Sequence, residues 1–405
     1  HRDLHSFPTR RSSDLVGEDI ARLANAPAAE LLALCNRVIP PEQRTEADDT
    51  KEQMVIYGLA MRAGGEPALR ERLEGAFCAL LADEKPASVK TFFLDQLQPI
   101  ASPACVPVVA AVLPDPAFCD LAARVLVSVG NDEAKAALRA ALPAARDFVQ
   151  LTIVKALGEL ADAASVPALL ELAKAENRDL RLMAGLALAR TGDPRAADIL
   201  RQATTATASF QRAEADESYL IFLGQLAARG QQAEAVKQAL AYAKERAGDS
   251  HIQCGVMAIC ALAGEPEGVE FVMAGLLAEE RRVRDAAALA LGRLPAETVT
   301  PRLLALLDQA PPAKQADVLL MLGRMQTTGA LPALKTRLTS PEESVRQAAI
   351  TALAQVAGKD SVADLAVLLD GADAATATAA LAAIPDPAAG PALIEIGRAS
   401  GRERV

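Results

Sequence analysis

The sequence predicts an all-α protein built from about ten or more stacked helix pairs. Three observations carry that expectation. The apolar residues, 51% of 405, are mostly Ala and Leu, with aromatics at 3% and no Trp. This palette favours helix, whereas sheet proteins lean on β-branched and aromatic side chains. A turn followed by a Leu-rich stretch recurs every 31 residues or so. Prolines stand at a fixed offset after that turn, at Pro107, Pro167, Pro301, Pro332 and Pro391, where the first turn of a helix sacrifices no hydrogen bond to them.

The period is visible in LGELADAASVPALLELA (157–173), LGRLPAETVTPRLLALL (291–307) and LGRMQTTGALPALKTRL (322–338). The turn residue eight positions before the first aligned Leu or Val falls at 101, 130, 161, 192, 230, 264, 295, 326, 357 and 385. Each unit reads as two helices, the first starting near the proline. The second opens with an acidic or capped turn. In TSPEESVR (339–346), Ser340 is expected to cap, Pro341 to take the first helical position and Glu343 to close a capping box. Apolar residues follow at helical spacing, as in Val283, Ala286, Ala287, Ala290 and Leu291. Small Ala side chains let neighbouring helices approach closely. One pair cannot bury its apolar faces alone, so the units must stack.

The stretches VRDAAALALG (283–292) and VRQAAITAL (345–353), each followed by a turn and a proline-started helix or its equivalent, resemble HEAT repeats, particularly the short bacterial HEAT-like type. The resemblance covers residues 86–394 and implies a right-handed αα-superhelix of the HEAT-like or ARM type, with second helices lining a concave face. Residues 16–85 are expected to add divergent helical repeats, as in KEQMVIYGLAMRA and PALRERLEGAFCALLAD. Such a scaffold is expected to bind another protein or peptide without catalysis or cofactor, as a monomer.

The two ends differ from this body. HRDLHSFPTRRSSDL (1–15) and IGRASGRERV (396–405) are Arg/Ser-rich and lack helical periodicity. They resemble two translations of one sequencing adapter, one from each strand, so residues 1–15 and 395–405 are expected to be foreign to the fold. On that reading the chain is a fragment of a bacterial, metagenomic gene. Its natural ends, any fused domain and its compartment, cytoplasmic or exported, stay open.

Charge and composition exclude several function classes. Residues 1–15 carry a net +1 and residues 396–405 a net +2, so of the formal −10 the body carries −13. That balance argues against nucleic acid and anionic membranes as partners. No apolar run is long enough for a membrane span. His251 is the body's one histidine, which removes a His-rich metal site and the paired His-Glu motifs of HEAT-like iron hydroxylases. The acidic body without Trp departs from HEAT-like DNA glycosylases. A bilin-lyase-like ligand chaperone stays as an alternative, as does a repeat segment cut from a larger enzyme or haem-domain protein. Cys35, Cys78, Cys105, Cys119, Cys254 and Cys260 include no CxxC and read as buried free thiols, with a Cys105–Cys119 disulfide left open. Asp249, Ser250 and His251 read as a helix start rather than a catalytic group, and TEADDTKE (45–52) as a helix N-terminus with favourable dipole charges.

Three sets of residues are candidates for recognition. Eleven positions before the turn marker stands a polar ladder of Gln150, Arg181, Gln253, Arg284, Gln315 and Arg346, expected to brace neighbouring repeats. Two positions before it, Arg190, Arg293 and Arg324 offer cations to a carboxylate-bearing partner. The repeat after 192 is seven residues longer than the period and the next is three longer, the extra length lying in 201–220 or in 244–252. Phe210 and Tyr219 of the first segment are either exposed for recognition or folded into the core.

Overall fold

A computed structural model describes residues 10–43, 49–385, 390, 391 and 394. Two compact units divide the chain, His1–Phe222 and Leu223–Val405. In the first lie α1 (Arg10–Leu23), α2 (Ala28–Cys35), α3 (Thr50–Ala63), α4 (Pro67–Ala82), α5 (Ala87–Leu97) and α6 (Val106–Val112). They are followed by α7 (Cys119–Val129), α8 (Asp132–Ala141), α9 (Asp147–Glu159), α10 (Val166–Leu172), α11 (Arg178–Thr191) and α12 (Ala197–Ala203). The boundary falls within α13 (Ser209–Ala228). In the second unit lie α14 (Gln232–Glu245), α15 (Ser250–Ala263), α16 (Pro266–Gly275), α17 (Arg281–Leu291) and α18 (Ala296–Gln309). They are followed by α19 (Pro312–Met325), α20 (Leu331–Arg337), α21 (Glu343–Ala357), α22 (Val362–Ala366) and α23 (Ala374–Ala382). Among the described residues there is no strand. This is the all-α, superhelical-repeat fold class.

The repeating turn has a backbone cause. Gly130, Ala161, Gly192, Gly230, Gly264 and Gln326 all take positive φ, between 46° and 89°. Each ends a second helix in the left-handed conformation that reverses the chain. Glycine adopts it freely; Ala161 and Gln326 hold it against a cost of roughly 1–2 kcal/mol each. The proline offset follows from what comes next. Pro107, Pro167 and Pro332 are the second residues of α6, α10 and α20, each entered through a 3₁₀ turn. Pro301 departs from this, lying inside α18, because there the entering turn is itself α-helical and the helix starts at Ala296.

Close approach of second helices sets the packing. A Cβ placed on Gly158 of α9 would lie 2.7 Å from the Cα of Ala187 in α11, and one on Gly323 of α19 would lie 2.9 Å from the Cα of Ala352 in α21. Nothing larger than glycine fits between those backbones. First helices are tied across repeats by ion pairs, Arg302–Glu270 at 2.9 Å, Arg337–Asp308 at 2.9 Å and Lys335–Asp364 at 2.8 Å. Those pairs are solvent-exposed and contribute little each. The core is chiefly aliphatic, with Phe77 and Phe93 packed at 5.2 Å between ring centroids.

One local expectation is corrected. α21 starts at Glu343, so Ser340 lies outside it; its Oγ accepts from the Glu342 amide at 3.3 Å and closes a small turn instead of capping the helix. Arg346 explains the shift, because its guanidinium takes the carbonyls of Ser340 and Pro341 and holds them as loop. At the N-terminal end, α1 begins at Arg10, so the backbone of residues 10–15 is helical despite the absence of periodicity. Extending an existing helix adds one hydrogen bond per residue fixed and needs no second nucleus. Residues 395–405 and 45–48 lie outside the described residues, and α3 begins at Thr50.

Candidate functional site

Every ladder residue stands on a second helix, and the rungs differ in what they hold. Arg181, Arg284 and Arg346 each direct Nη1 at the carbonyls five and six residues upstream. Arg181 takes Ala175 and Glu176 at 2.7 and 3.2 Å, and Arg284 takes Ala278 and Glu279 at 3.0 and 2.7 Å. These carbonyls lie in the loop three and four residues past the end of the preceding first helix, so each guanidinium satisfies loop acceptors that no helix pairs. Gln253 donates likewise to the carbonyls of Ala243 and Arg246, and Gln315 to that of Ala310. Gln150 does not: Arg146 serves that repeat, donating to Pro143 and Ala145.

Two arginine rungs also reach the next repeat. Arg284 pairs with Asp317 at 3.0 Å, and Arg346 with Asp373 at 2.7 Å. Arg181 has no carboxylate partner among the described residues. In the longer repeat Arg212 of α13 is the rung, its Nη1 reaching the Ala206 carbonyl six residues upstream at 3.4 Å, and Tyr219, at the position counted from the turn, lies two turns further along the helix. Tyr219 is buried, with the Arg201 guanidinium 5.6 Å from its ring. Phe210 is 58% exposed, and the Arg178 guanidinium lies over its ring at 5.7 Å. The insertion thus places one aromatic inside and one outside, and its extra length appears as α13, a helix of 20 residues.

Beside α13 a cleft of about 630 Å³ opens between α11, α12 and α13. Arg181, Leu182 and Gly185 form one wall, and Ile199, Gln211 and Ser218 belong to the others. It falls within the size range of small-molecule sites.

A second surface lies on the other unit. Arg293 and Arg324 are exposed, and no partner of either is found among the described residues, while Arg190 on α11 is half-buried. Four residues before Arg293 and Arg324 stand Leu289 and Leu320, which are 63% and 36% exposed. An i,i+4 spacing puts Leu320 and Arg324 on one face of α19, whereas Arg293 stands in the turn just after α17, which holds Leu289. Leu262, 60% exposed, occupies on α15 the register that Arg293 and Arg324 hold in the next two repeats. The leucines escaped the sequence reading, although a signal was present: Leu289 falls off the stripe Val283, Ala287, Ala290 and Leu291, all of which are buried.

The chemistry-bearing residues are otherwise quiet. Asp249 caps α15 by accepting from the amides of His251 and Ile252. All six cysteines are free. Burial pushes the thiols of Cys35, Cys105 and Cys260 up to about 12 and that of Cys78 to about 11, which makes them poor nucleophiles. Among the described residues, no group of three His, Cys, Asp or Glu side chains could hold a metal ion, and no helix is long and apolar enough to cross a membrane.

Helix pairs stacked on a fixed period, reversed by left-handed turns and braced by a polar rung, define an all-α repeat protein. It carries HEAT repeats: the HEAT repeats family matches residues 144–219 and 300–385, and the PBS lyase HEAT-like repeat matches residues 283–309. No curated protein matches the chain. Among solved structures it is similar to one titled the Kap95:Nup1 complex, at 14% identity and TM-score 0.48, over 95% of this chain and 63% of that one. It is similar also to Kap121p bound to Ste12p, at 14% identity and TM-score 0.46, over 93% and 49%. Human deoxyhypusine hydroxylase aligns at 17% identity and TM-score 0.22, over 73% and 99%. The chain spans about half the length of the Kap121p chain.

Proposed function

We propose that this protein is a non-catalytic scaffold that binds another protein or peptide through the ends of its second helices. The observation that supports this is the repeated Leu–Arg pair, Leu289 with Arg293 and Leu320 with Arg324, set 31 residues apart in identical register. Arg284 of α17 pairs with Asp317 of α19, which ties these two helices through one ion pair. A leucine side chain at this exposure offers apolar area to a partner, and an uncommitted arginine offers a fork for a carboxylate. The partner that fits is an amphipathic segment bearing apolar residues beside Asp or Glu. An absence of catalysis is consistent with a histidine whose local role is to follow a helix cap and with thiols held neutral by burial.

The test uses a synthetic amphipathic helical peptide with leucines flanked by glutamates, and its counterpart with lysines, followed by fluorescence anisotropy. The acidic peptide is expected to bind, and the basic one to bind at least about tenfold more weakly. Arg293→Glu with Arg324→Glu should reverse the preference, and Leu289→Asp with Leu320→Asp should abolish binding. Equal binding of both peptides, or binding indifferent to all four substitutions, overturns the proposal.

A further inference from the structure

The ladder arginines make a comparison within one molecule. Arg284 and Arg346 each satisfy two upstream carbonyls and then hold an aspartate of the following repeat. Arg181 keeps the first half of this arrangement, with its Nη1 on Ala175 and Glu176. The second half is missing among the described residues. The repeat that follows is the elongated one, and α13 brings Gln211, Ala215 and Ser218 to the cleft, none of them acidic. The guanidinium therefore lines an open space of about 630 Å³ where its counterparts contact a carboxylate.

The remaining lining says what would fill that space. Leu182, Ile199, Leu200 and Ala215 supply apolar wall, and Gln211 and Ser218 supply uncharged polar atoms. Two charged groups besides Arg181 reach the cleft. Lys174 is exposed and pairs with Glu171 at 2.9 Å, and Asp198 is exposed. Gly185 also lines it, and a Cβ there would meet only Leu200 Cδ2, at 3.8 Å. We infer that this cleft binds an organic carboxylate with an aliphatic body, its carboxylate on Arg181 in place of the missing aspartate and its body along Leu182 and Ile199. A charge-assisted, two-pronged contact of this kind is the strong form of the interaction. The site lies in the first unit and is independent of the Leu–Arg surface proposed above, which lies in the second.

The probes are decanoate, its neutral counterpart decanamide, a peptide ending in a free leucine carboxylate and the same peptide amidated. Binding to the full chain is followed by isothermal titration calorimetry. Decanoate is expected to bind saturably, and decanamide at least about tenfold more weakly. If only the free-carboxylate peptide binds, the carboxylate comes from a chain terminus and the inference holds with that source. Arg181→Gln should weaken binding by at least about tenfold. Glutamine keeps the carbonyl brace, as Gln253 and Gln315 do on their own helices, so circular dichroism should be unchanged. Gly185→Leu should block the cleft, and Arg284→Gln should leave binding as it was. Acid and amide binding alike, failure of all four probes to bind, or binding that survives both Arg181→Gln and Gly185→Leu overturns the inference.

Discussion

Arg346 donates from Nε to Asp373 Oδ2 at 2.7 Å, 27 residues away, while its Nη1 holds the carbonyls of Ser340 and Pro341. One side chain thus closes its own repeat's loop and fastens the next repeat. The hydrogen bond to Asp373 is the main cause that raises the guanidinium above its ordinary range. Asp373 is buried. Removing the arginine strands a buried carboxylate, whereas removing the aspartate leaves the arginine its carbonyls and access to water. Arg346→Ala is therefore expected to lower the melting temperature by several degrees and Asp373→Ala by less. The double variant should lose less than the two singles combined. Thermal denaturation of the three variants checks this, and strictly additive losses would deny the coupling.

Gly158 and Gly323 carry a prediction of opposite sign to helix propensity. Glycine within a helix normally costs about 1 kcal/mol relative to alanine. Gly75 in α4, with nothing within 4 Å of a Cβ, should accordingly gain up to about 1 kcal/mol as Gly75→Ala. At Gly158 the added methyl meets the Ala187 backbone, so Gly158→Ala should lose about 1–3 kcal/mol by overpacking. Urea denaturation of both variants decides it, and stabilisation by Gly158→Ala would show that the helices can separate cheaply.

Glu74 is buried and accepts from both the amide and the hydroxyl of Ser102, each at 2.7 Å. This fixes the entrance to α6 against α4. Glu74→Ala leaves two donors unanswered and should cost about 1–3 kcal/mol. Ser102→Ala should cost less, since the amide keeps its acceptor. The same denaturation series tests the ranking.

The buried thiols predict a pH dependence. Cys35, Cys105 and Cys260 stand near 12, with Cys78 near 11, against an ordinary value of 9.0, because burial disfavours the thiolate. Their contribution to stability is complete below pH 9, where the unfolded chain is also protonated, and is lost as pH rises from 9 toward 12. Stability should fall over that window, and replacing Cys35, Cys105 and Cys260 by alanine should flatten the fall. With a thiol reagent at pH 8, the partly exposed Cys78 and Cys254 should react before the buried ones. Early labelling of Cys260 in the native protein would contradict this.

The sequence by itself determined the repeat. Its period, the turn residue that ends each second helix and the arginine or glutamine rung are all local features, dictated by backbone conformation and helix-end chemistry within one unit. The Pro301 helix and the Ser340 turn were misjudged because each depends on a neighbour, an α-helical entry in one case and the Arg346 guanidinium in the other. Only tertiary structure decided which residues face water. Phe210 and Tyr219 stand nine positions apart on one helix and so on opposite faces, but packing decided which of the two is buried. Leu289 lies off the buried stripe of α17, and the structure places it outside. Arg181 and Arg284 are indistinguishable by position in the repeat, and the difference between them is an aspartate that α19 supplies and α13 does not. Exposure and unmet charge belong to pairs of repeats, and a sequence records repeats one at a time.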